Sequence, residues 1–516
     1  MQRCFLYLVL ILTAPAAASA TTYIVRPDGS GDFPTIQAAI DAALDDDIIE
    51  LTNGTFTGDG NRDIDYIGKA LTVRSQSASA ESCIIDCEAS ESEPHTGFHF
   101  LSGEGADAVL EGVTIINGWE SPGFPSAGGI LCRDASSPTI TACILSTNHG
   151  SGIFCIDYSS PVITACTFSG NSANTGGGIM CLGGASPAIS HCTFTGNLAD
   201  WAGGGFWGSS SAATLSNCDF SGNSATHGGG IYFRSASAPT LTDCVIFNNT
   251  ATHSSGGIHW EMFCTATITH CTFARNSAMR CGGMDVSKFC GVLARNCTFW
   301  GNSATYVGGV CADAESELEL ENTIISFSTQ GEAVGCNEAI VNLVCCDIFG
   351  NAGGDWVGYI AGQLGVDGNI SEDPLFCDPE NWDFDLREGS PCAPFSPPNE
   401  ECDLIGAWPV GCSSMTVRDQ QAASPRFYLA PCAPNPLSFT TSIHYDLPGA
   451  RWVTLQIFDV TGRRVCMLVD GLQPARRHAV EWSRQNKVGE QISSGTYFLQ
   501  MRAANFMDGR TLIVID

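Results

Sequence analysis

Six side chains in the middle of this 516-residue chain could do carbohydrate chemistry: Arg234, Glu261 and Asp285 as charged groups, and Trp207, Tyr232 and His259 as a surface for a sugar ring. Carboxylates serve as general acid and base, and aromatic faces suit the apolar faces of sugars. Spacing makes them a set. Trp207, Tyr232, His259 and Asp285 each follow a glycine pair and one apolar residue, and Arg234 and Glu261 stand two residues past Tyr232 and His259. The full row reads Leu131, Phe154, Met180, Trp207, Tyr232, His259, Asp285 and Cys311, with Arg133, Ile156, Leu182, Ser209, Arg234, Glu261, Ser287 and Asp313 two residues on. A plain outer face of mixed side chains accounts for the same pattern. Glu261, Asp285 and Arg234 are therefore candidates for chemistry, and Trp207, Tyr232 and His259 for ligand binding, with no catalytic residue, metal or cofactor assigned. The sequence shows no Ser–His–acid set and no phosphate loop. His149, His227 and His253 recur near turns without ligand partners and read as solvent-exposed turn residues.

The elements that must position these residues come from an internal repeat. Gly128-Gly129-Ile130 recurs as Gly177-Gly178-Ile179, Gly204-Gly205-Phe206, Gly229-Gly230-Ile231, Gly256-Gly257-Ile258, Gly282-Gly283-Met284 and Gly308-Gly309-Val310, with Gly152-Ile153 as a degenerate copy, an average of about 25.7 residues per interval. A second block keeps step from Cys166-Thr167-Phe168-Ser169-Gly170-Asn171-Ser172-Ala173 to Cys297–Ala304. Paired glycines and short β-rich runs in every unit argue against helical repeats. Apolar residues alternate after the glycines, as in Ile179 and Cys181, which is the period of a strand with one buried face. Such units stack best as rungs of a parallel β-helix.

Stacking sets like residues above each other at roughly the 4.8 Å strand spacing. The predicted ladders are Phe168, Phe194, Phe220, Ile246, Phe273 and Phe299; Cys143 through Cys297 beside them; and Asn171, Asn197, Asn223, Asn249, Asn276 and Asn302 at a turn, where amides in register can hydrogen-bond. Glycines are expected to supply turn dihedrals. The cysteine ladder has two readings, rung-to-rung disulfides or unbonded buried thiols, and the second needs nothing beyond packing. One cysteine per rung without histidine or carboxylate at ligand spacing is not a zinc pattern.

Residues 1–20 read as a signal peptide: Arg3, the apolar run Phe5–Leu12, and Ala18-Ser19-Ala20 as cleavage site. Residues 21–125 form an N-terminal cap and first rungs, in which Ile36, Ala39, Ile40, Ala43 and Leu44 share one face of a short helix. Regular repeats fill 126–355, and 356–412 closes the structure, with disulfides expected among Cys392, Cys402 and Cys412. A linker at 413–423 leads to 424–516, where strands are predicted at 441–447, 452–459, 464–468, 478–482, 496–502 and 511–515, forming a small β-sandwich. The fold class is all-β: a right-handed parallel β-helix solenoid followed by a small Ig-like β-sandwich.

The repeats resemble those of chlamydial-type polymorphic outer membrane proteins and the wider pectin lyase-like β-helix proteins, over most of residues 21–412. Asp373-Pro374-Leu375-Phe376 with Ser390-Pro391-Cys392 is similar to the end of such domains, and Asp28 to Ala39 resembles the start of pectinesterases, with no counterpart of that family's Gln-flanked aspartates. Pro434-Asn435-Pro436, Phe458–Arg463 and Ser494–Phe498 resemble FlgD-like immunoglobulin-fold modules and C-terminal sorting domains of type IX-secreted proteins. These resemblances imply a fold and an envelope location more than a reaction.

Composition bounds the partners. Of 23 basic and 54 acidic residues, 11 and 8 fall after residue 412, leaving 12 and 46 before it, a net of −34. Such a charge repels nucleic acid and anionic lipid. Loss of Cys4 with the leader leaves 25 of the 26 cysteines, an odd number. No later apolar run is long enough to span a bilayer. Two functions stand: an exported cell-surface or extracellular repeat protein, adhesin or glycan-contacting stalk, whose C-terminal module engages sorting or attachment machinery; or a polysaccharide lyase or hydrolase acting in a groove on the helix. The implied partner in both is a polysaccharide or cell-surface glycan.

Overall fold

The computed structural model describes residues 20–120, 127–412, 428–429, 437, 440–447, 451–459, 463–473, 477–485, 491–503 and 506–514. Residues 1–19 of the signal peptide, the 413–423 linker and Pro434-Asn435-Pro436 lie outside the described residues. Contacts divide the chain into two compact units, Met1–Thr240 with Phe247–Thr265, and Leu241–Ile246 with Ala266–Asp516.

In the first unit each rung contributes a strand to three parallel ladders, as in Val162–Thr164, Thr167–Ser169 and Ile179–Cys181. Pairing is in register: Phe168 lies on Phe194 and Phe194 on Phe220, with rings stacked at 4.7 and 4.3 Å. The corner before each ladder cysteine is a single left-handed residue, Ala165, His191 or Asn217, with φ of 54, 55 and 52°. Successive rungs repeat this corner, so the bend falls at the same place each time.

The asparagine ladder is present and begins one rung earlier than expected. Asn148, Asn171, Asn197 and Asn223 are buried, and each donates from Nδ2 to the next asparagine's Oδ1 at 2.9–3.0 Å. The same Oδ1 accepts the preceding asparagine's backbone N–H, so one amide satisfies two donors of the neighbouring rung.

The glycines do something different from the expectation at one of their positions. A Cβ on Gly178 would sit 2.4 Å from Gly205 O, and one on Gly129 2.4 Å from Gly152 O, with ordinary negative φ at both. These glycines permit close rung approach. Positive dihedrals are needed two residues earlier, at Gly176, Gly203 and Gly228, with φ of 59, 66 and 57°.

The ladder cysteines Cys143, Cys166, Cys192, Cys218, Cys244, Cys271 and Cys297 are buried and form no disulfide, the reading of stacked thiols. Burial holds the Cys297 and Cys346 thiols up at about 12, so they pack as neutral groups. The cap helix is Ile36–Ala42, with Thr35 Oγ1 accepting from Ala38 N–H and Ile36, Ala39 and Ile40 buried. Leu44 is outside that face and exposed.

In the second unit the solenoid ladders continue in strands such as Glu317–Glu321 and Ile340–Val344. The closing segment returns along the side of the rungs as well. Trp408 Nε1 donates to Thr272 Oγ1 at 2.7 Å, Ala407 N–H to Thr298 Oγ1 at 3.0 Å, and Asn296 Nδ2 to Leu404 O at 2.7 Å. Arg275 lies 5.0 Å over Trp300 and 5.4 Å over Trp382, and ion-pairs with Glu380. Disulfides Cys345–Cys402 and Cys377–Cys412 hold this segment. Cys392, expected among the bonded cysteines, is a free buried thiol. Its Sγ–H lies 3.1 Å from Asp347 Oδ2, a place that a disulfide sulfur could not fill as donor.

The C-terminal region is antiparallel, with three strands, Tyr428–Leu429, Thr441–Asp446 and Arg477–Trp482, and four, Arg451–Asp459, Arg464–Gln473, Gly495–Ala503 and Phe506–Val514. Ile443, Tyr445, Leu455, Ile457, Trp482, Met501 and Leu512 share one core. Among the described residues no helix is long and apolar enough to cross a membrane.

Candidate functional site

The third ladder carries the candidate row. In-register pairing sets Met180 beside Trp207, Trp207 beside Tyr232, Tyr232 beside His259, and Arg234 beside Glu261. These side chains point away from the solenoid core, so exposure was the expectation. Trp207, Tyr232 and His259 are instead only 6%, 1% and 5% exposed. The cover comes from the segment that runs from each ladder asparagine to the next glycine pair. Ala202 packs with Trp207 and Tyr232, and Trp201, Met180 and Leu182 join the same cluster. A second apolar layer thus lies outside the sheet.

Histidines and one tryptophan line this layer. Trp201 meets Tyr232 edge-on at 5.4 Å and His227 at 6.0 Å; His259 lies 5.1 Å from Tyr232 and 6.0 Å from His227; His253 lies 5.1 Å from His227. Ser254 Oγ is 2.9 Å from His227 Nδ1 and 3.2 Å from His253 Nδ1. Arg234 sits 5.3 Å over the Trp201 ring. The Tyr232 hydroxyl donates to Glu261 Oε2. Burial, then the hydrogen bond to Glu261 and that residue's negative charge, push the phenol well above its ordinary range. Tyr232 is accordingly a fixed proton donor at neutral pH, not a base.

Five of the six candidates, Trp207, Tyr232, Arg234, His259 and Glu261, therefore lie in one unit, and each of the five directly neighbours at least one other. Asp285 belongs to the second unit, fully buried, with Arg280 Nε 3.7 Å from its Oδ2. Trp201 was not among the candidates, and His227 reads from sequence as a turn residue. His253 is an exposed bend residue as expected, whereas His149, also exposed, bridges to Trp119 and Ser172 with its ring stacked on Trp119 at 4.1 Å, and His227 is half-buried within the cluster. The missed signal is legible in hindsight: Trp201, His227 and His253 each stand four residues after a ladder asparagine, as do Arg280 and Tyr306. One group of described residues has the donor set of a metal site, Cys281, Asp285 and Cys311, all buried with ligand atoms within 4.8 Å of one another.

Short parallel strands stacked in register around ladders of phenylalanine, cysteine and asparagine define a parallel β-helix. The chain belongs to the family described as right handed beta helix region, which matches residues 47–207 and 204–370. No curated protein matches it. Among solved structures it is similar to XylC in complex with xylose, at 8% identity and a TM-score of 0.44 over 93% of this chain and 100% of that one. It is also similar to a double mutant of the periplasmic alginate epimerase AlgG, at 11% identity and a TM-score of 0.32 over 58% and 77% of the two chains. A mannuronic acid specific polysaccharide family 6 lyase from human gut microbiota gives 10% identity and a TM-score of 0.35 over 68% and 91%.

Proposed function

We propose that this protein is an exported β-helix of the cell surface or extracellular space, an adhesin-like stalk that contacts glycans without transforming them. Its C-terminal region, read as an Ig-like module resembling sorting domains, serves attachment or sorting. The observation that carries the non-catalytic reading is the Tyr232–Glu261 pair. The phenol is held protonated and spends its hydrogen on the carboxylate, so the two groups best placed for proton transfer occupy each other. Asp285, the other carboxylate candidate, is fully buried beside Arg280. The half-buried Trp201 with Arg234 offers an apolar face and hydrogen-bond donors, which is what binding a sugar requires. A net of −34 before residue 413 favours neutral glycans over polyanions. Support for export is the leader-like start with Arg3, Phe5–Leu12 and Ala18-Ser19-Ala20.

A glycan array on the mature protein and its Trp201→Ala variant tests binding, with loss of signal in the variant as the expected result. Reducing-end or unsaturated-product release that Glu261→Gln abolishes would show an enzyme and overturn the reading. Deleting residues 424–516 tests attachment: the shortened chain is expected in the medium, and unchanged surface display refutes that role.

A further inference from the structure

We propose that Cys281, Cys311 and Asp285 form a binding site for a thiophilic divalent cation of the zinc type, available when the two cysteines are reduced. Neighbouring strands create the grouping. Asp285 and Cys311 are register partners on Met284–Ser287 and Ser303–Asp313, which sets their side chains adjacent on the same side of the ladder. Cys281 reaches them from the turn before its glycine pair, where it bridges to Val307. The three are 0%, 4% and 0% exposed for Cys281, Cys311 and Asp285, and their donor atoms lie within 4.8 Å of one another.

The repeat itself marks these positions as unusual. Where Cys281 stands, other rungs have Gly176, Gly203, Gly228 and Ser255; where Asp285 and Cys311 stand, they have Met180, Trp207, Tyr232 and His259. Both cysteines are outside the buried thiol ladder, whose members have no carboxylate at ligand spacing. Two adjacent rungs thus bring two sulfurs and a carboxylate to one point where the other rungs have small, apolar or aromatic residues or histidine.

Charge and donor chemistry select the ligand. Two thiolates and a carboxylate buried together carry three negative charges, which a low-dielectric site does not tolerate unneutralised. Arg280 stands beside them, with Nε 3.7 Å from Asp285 Oδ2 and its other end on the partly exposed Asp313. It offsets one charge, and a divalent cation offsets two. Thiolate donors favour zinc-like ions over calcium or magnesium, and three protein donors leave one tetrahedral position open. The sulfurs are also close enough to join as the Cys281–Cys311 disulfide. Sulfurs bonded to each other are no longer thiolates: a dithiol or phosphine reductant must deliver two electrons to break the S–S bond, two protons complete the thiols, and those protons leave to solvent as the cation binds, so disulfide and metal are alternative states of one site.

The test is a cobalt(II) titration of the metal-free full chain, anaerobically reduced with a phosphine, beside the same protein left oxidised. The expected result is one cobalt per reduced chain with a thiolate-to-cobalt charge-transfer band, displaced by zinc and absent from the oxidised protein. The Cys281→Ser/Cys311→Ser variant should lose the band while its far-ultraviolet circular dichroism is unchanged. Asp285→Asn, which keeps both sulfurs, should weaken binding at least about tenfold. A reduced chain that binds no cobalt overturns the proposal. So does a band that survives in the double serine variant, because it then arises from other cysteines, or one indifferent to Asp285→Asn.

Discussion

Replacing Asn197 by alanine takes one amide out of the buried ladder. The native side chain takes part in four hydrogen bonds: Oδ1 accepts from Asn171 N–H and Nδ2 at 3.1 and 3.0 Å, and Nδ2 donates to Phe168 O and Asn223 Oδ1 at 3.0 Å each. Two of these partners keep another bond, since Asn171 Nδ2 still reaches Leu145 O and Asn223 Oδ1 still accepts Asn197 N–H. The groups that lose their partner are the Asn171 N–H and the Phe168 carbonyl. A buried polar group left without its partner costs about 1–3 kcal/mol, so the variant should lose about 2–6 kcal/mol. Urea unfolding followed by tryptophan fluorescence measures the loss. Because rungs couple mainly to their neighbours, amide exchange should quicken around Asn171 and Asn197 first and at the Thr22–Val25 strand last. Leu198→Ala, at a 43% exposed neighbouring position, is the control and should change stability by less than about 0.5 kcal/mol. A loss below about 1 kcal/mol for Asn197→Ala with unaltered local exchange would refute the claim that the ladder holds the rungs together.

Three further outcomes are expected. Asp347 is fully buried and its carboxyl is pushed from 3.8 up to about 7 by burial, so the folded chain keeps a proton that the unfolded chain releases above pH 4. That contribution to stability is lost as pH rises from about 4 to about 7, by at most about 1.4 kcal/mol per unit. Asp347→Asn should remove this part of the wild-type slope, and Tm-against-pH curves that run parallel for the two proteins contradict it. Phe194→Ala empties the place between two stacked rings and should cost about 3–5 kcal/mol in urea unfolding, with Phe194→Leu recovering much of it. The Cys345–Cys402 bridge closes 57 residues, and Cys345→Ser/Cys402→Ser should lower stability by about 4 kcal/mol and expose Trp408 to fluorescence quenchers; a variant with unchanged quenching would show that the hydrogen bonds alone hold the segment.

Much of the architecture was legible because a repeat encodes its own neighbours. The recurring Gly-Gly-Ile and Cys-Thr-Phe-Ser-Gly-Asn blocks specify which residues stack, and stacking at one strand spacing is the only long-range geometry a solenoid needs. The phenylalanine, asparagine and thiol ladders, the cap helix and the antiparallel strands of the last 90 or so residues all follow from local pattern of this kind. The two roles of glycine were harder to separate. Gly176 and Gly178 are two residues apart in one tripeptide, yet one is required by its dihedral and the other by a carbonyl on the next rung.

By itself, then, the sequence determined the rung, the ladders, the charge of each region and the row to which Trp207, Tyr232, His259, Glu261 and Arg234 belong. Only the tertiary structure decided what lies over that row. A period says which residues repeat but not which way an irregular connecting segment packs, and it is the packing of Trp201, Ala202 and His227 that buries Tyr232 and turns it toward Glu261. The same holds for Cys281, Asp285 and Cys311, which come from two rungs and two different positions within the repeat. It holds too for the closing segment, whose hydrogen bonds to Thr272 and Thr298 span more than 100 residues, a separation over which local pattern carries no register.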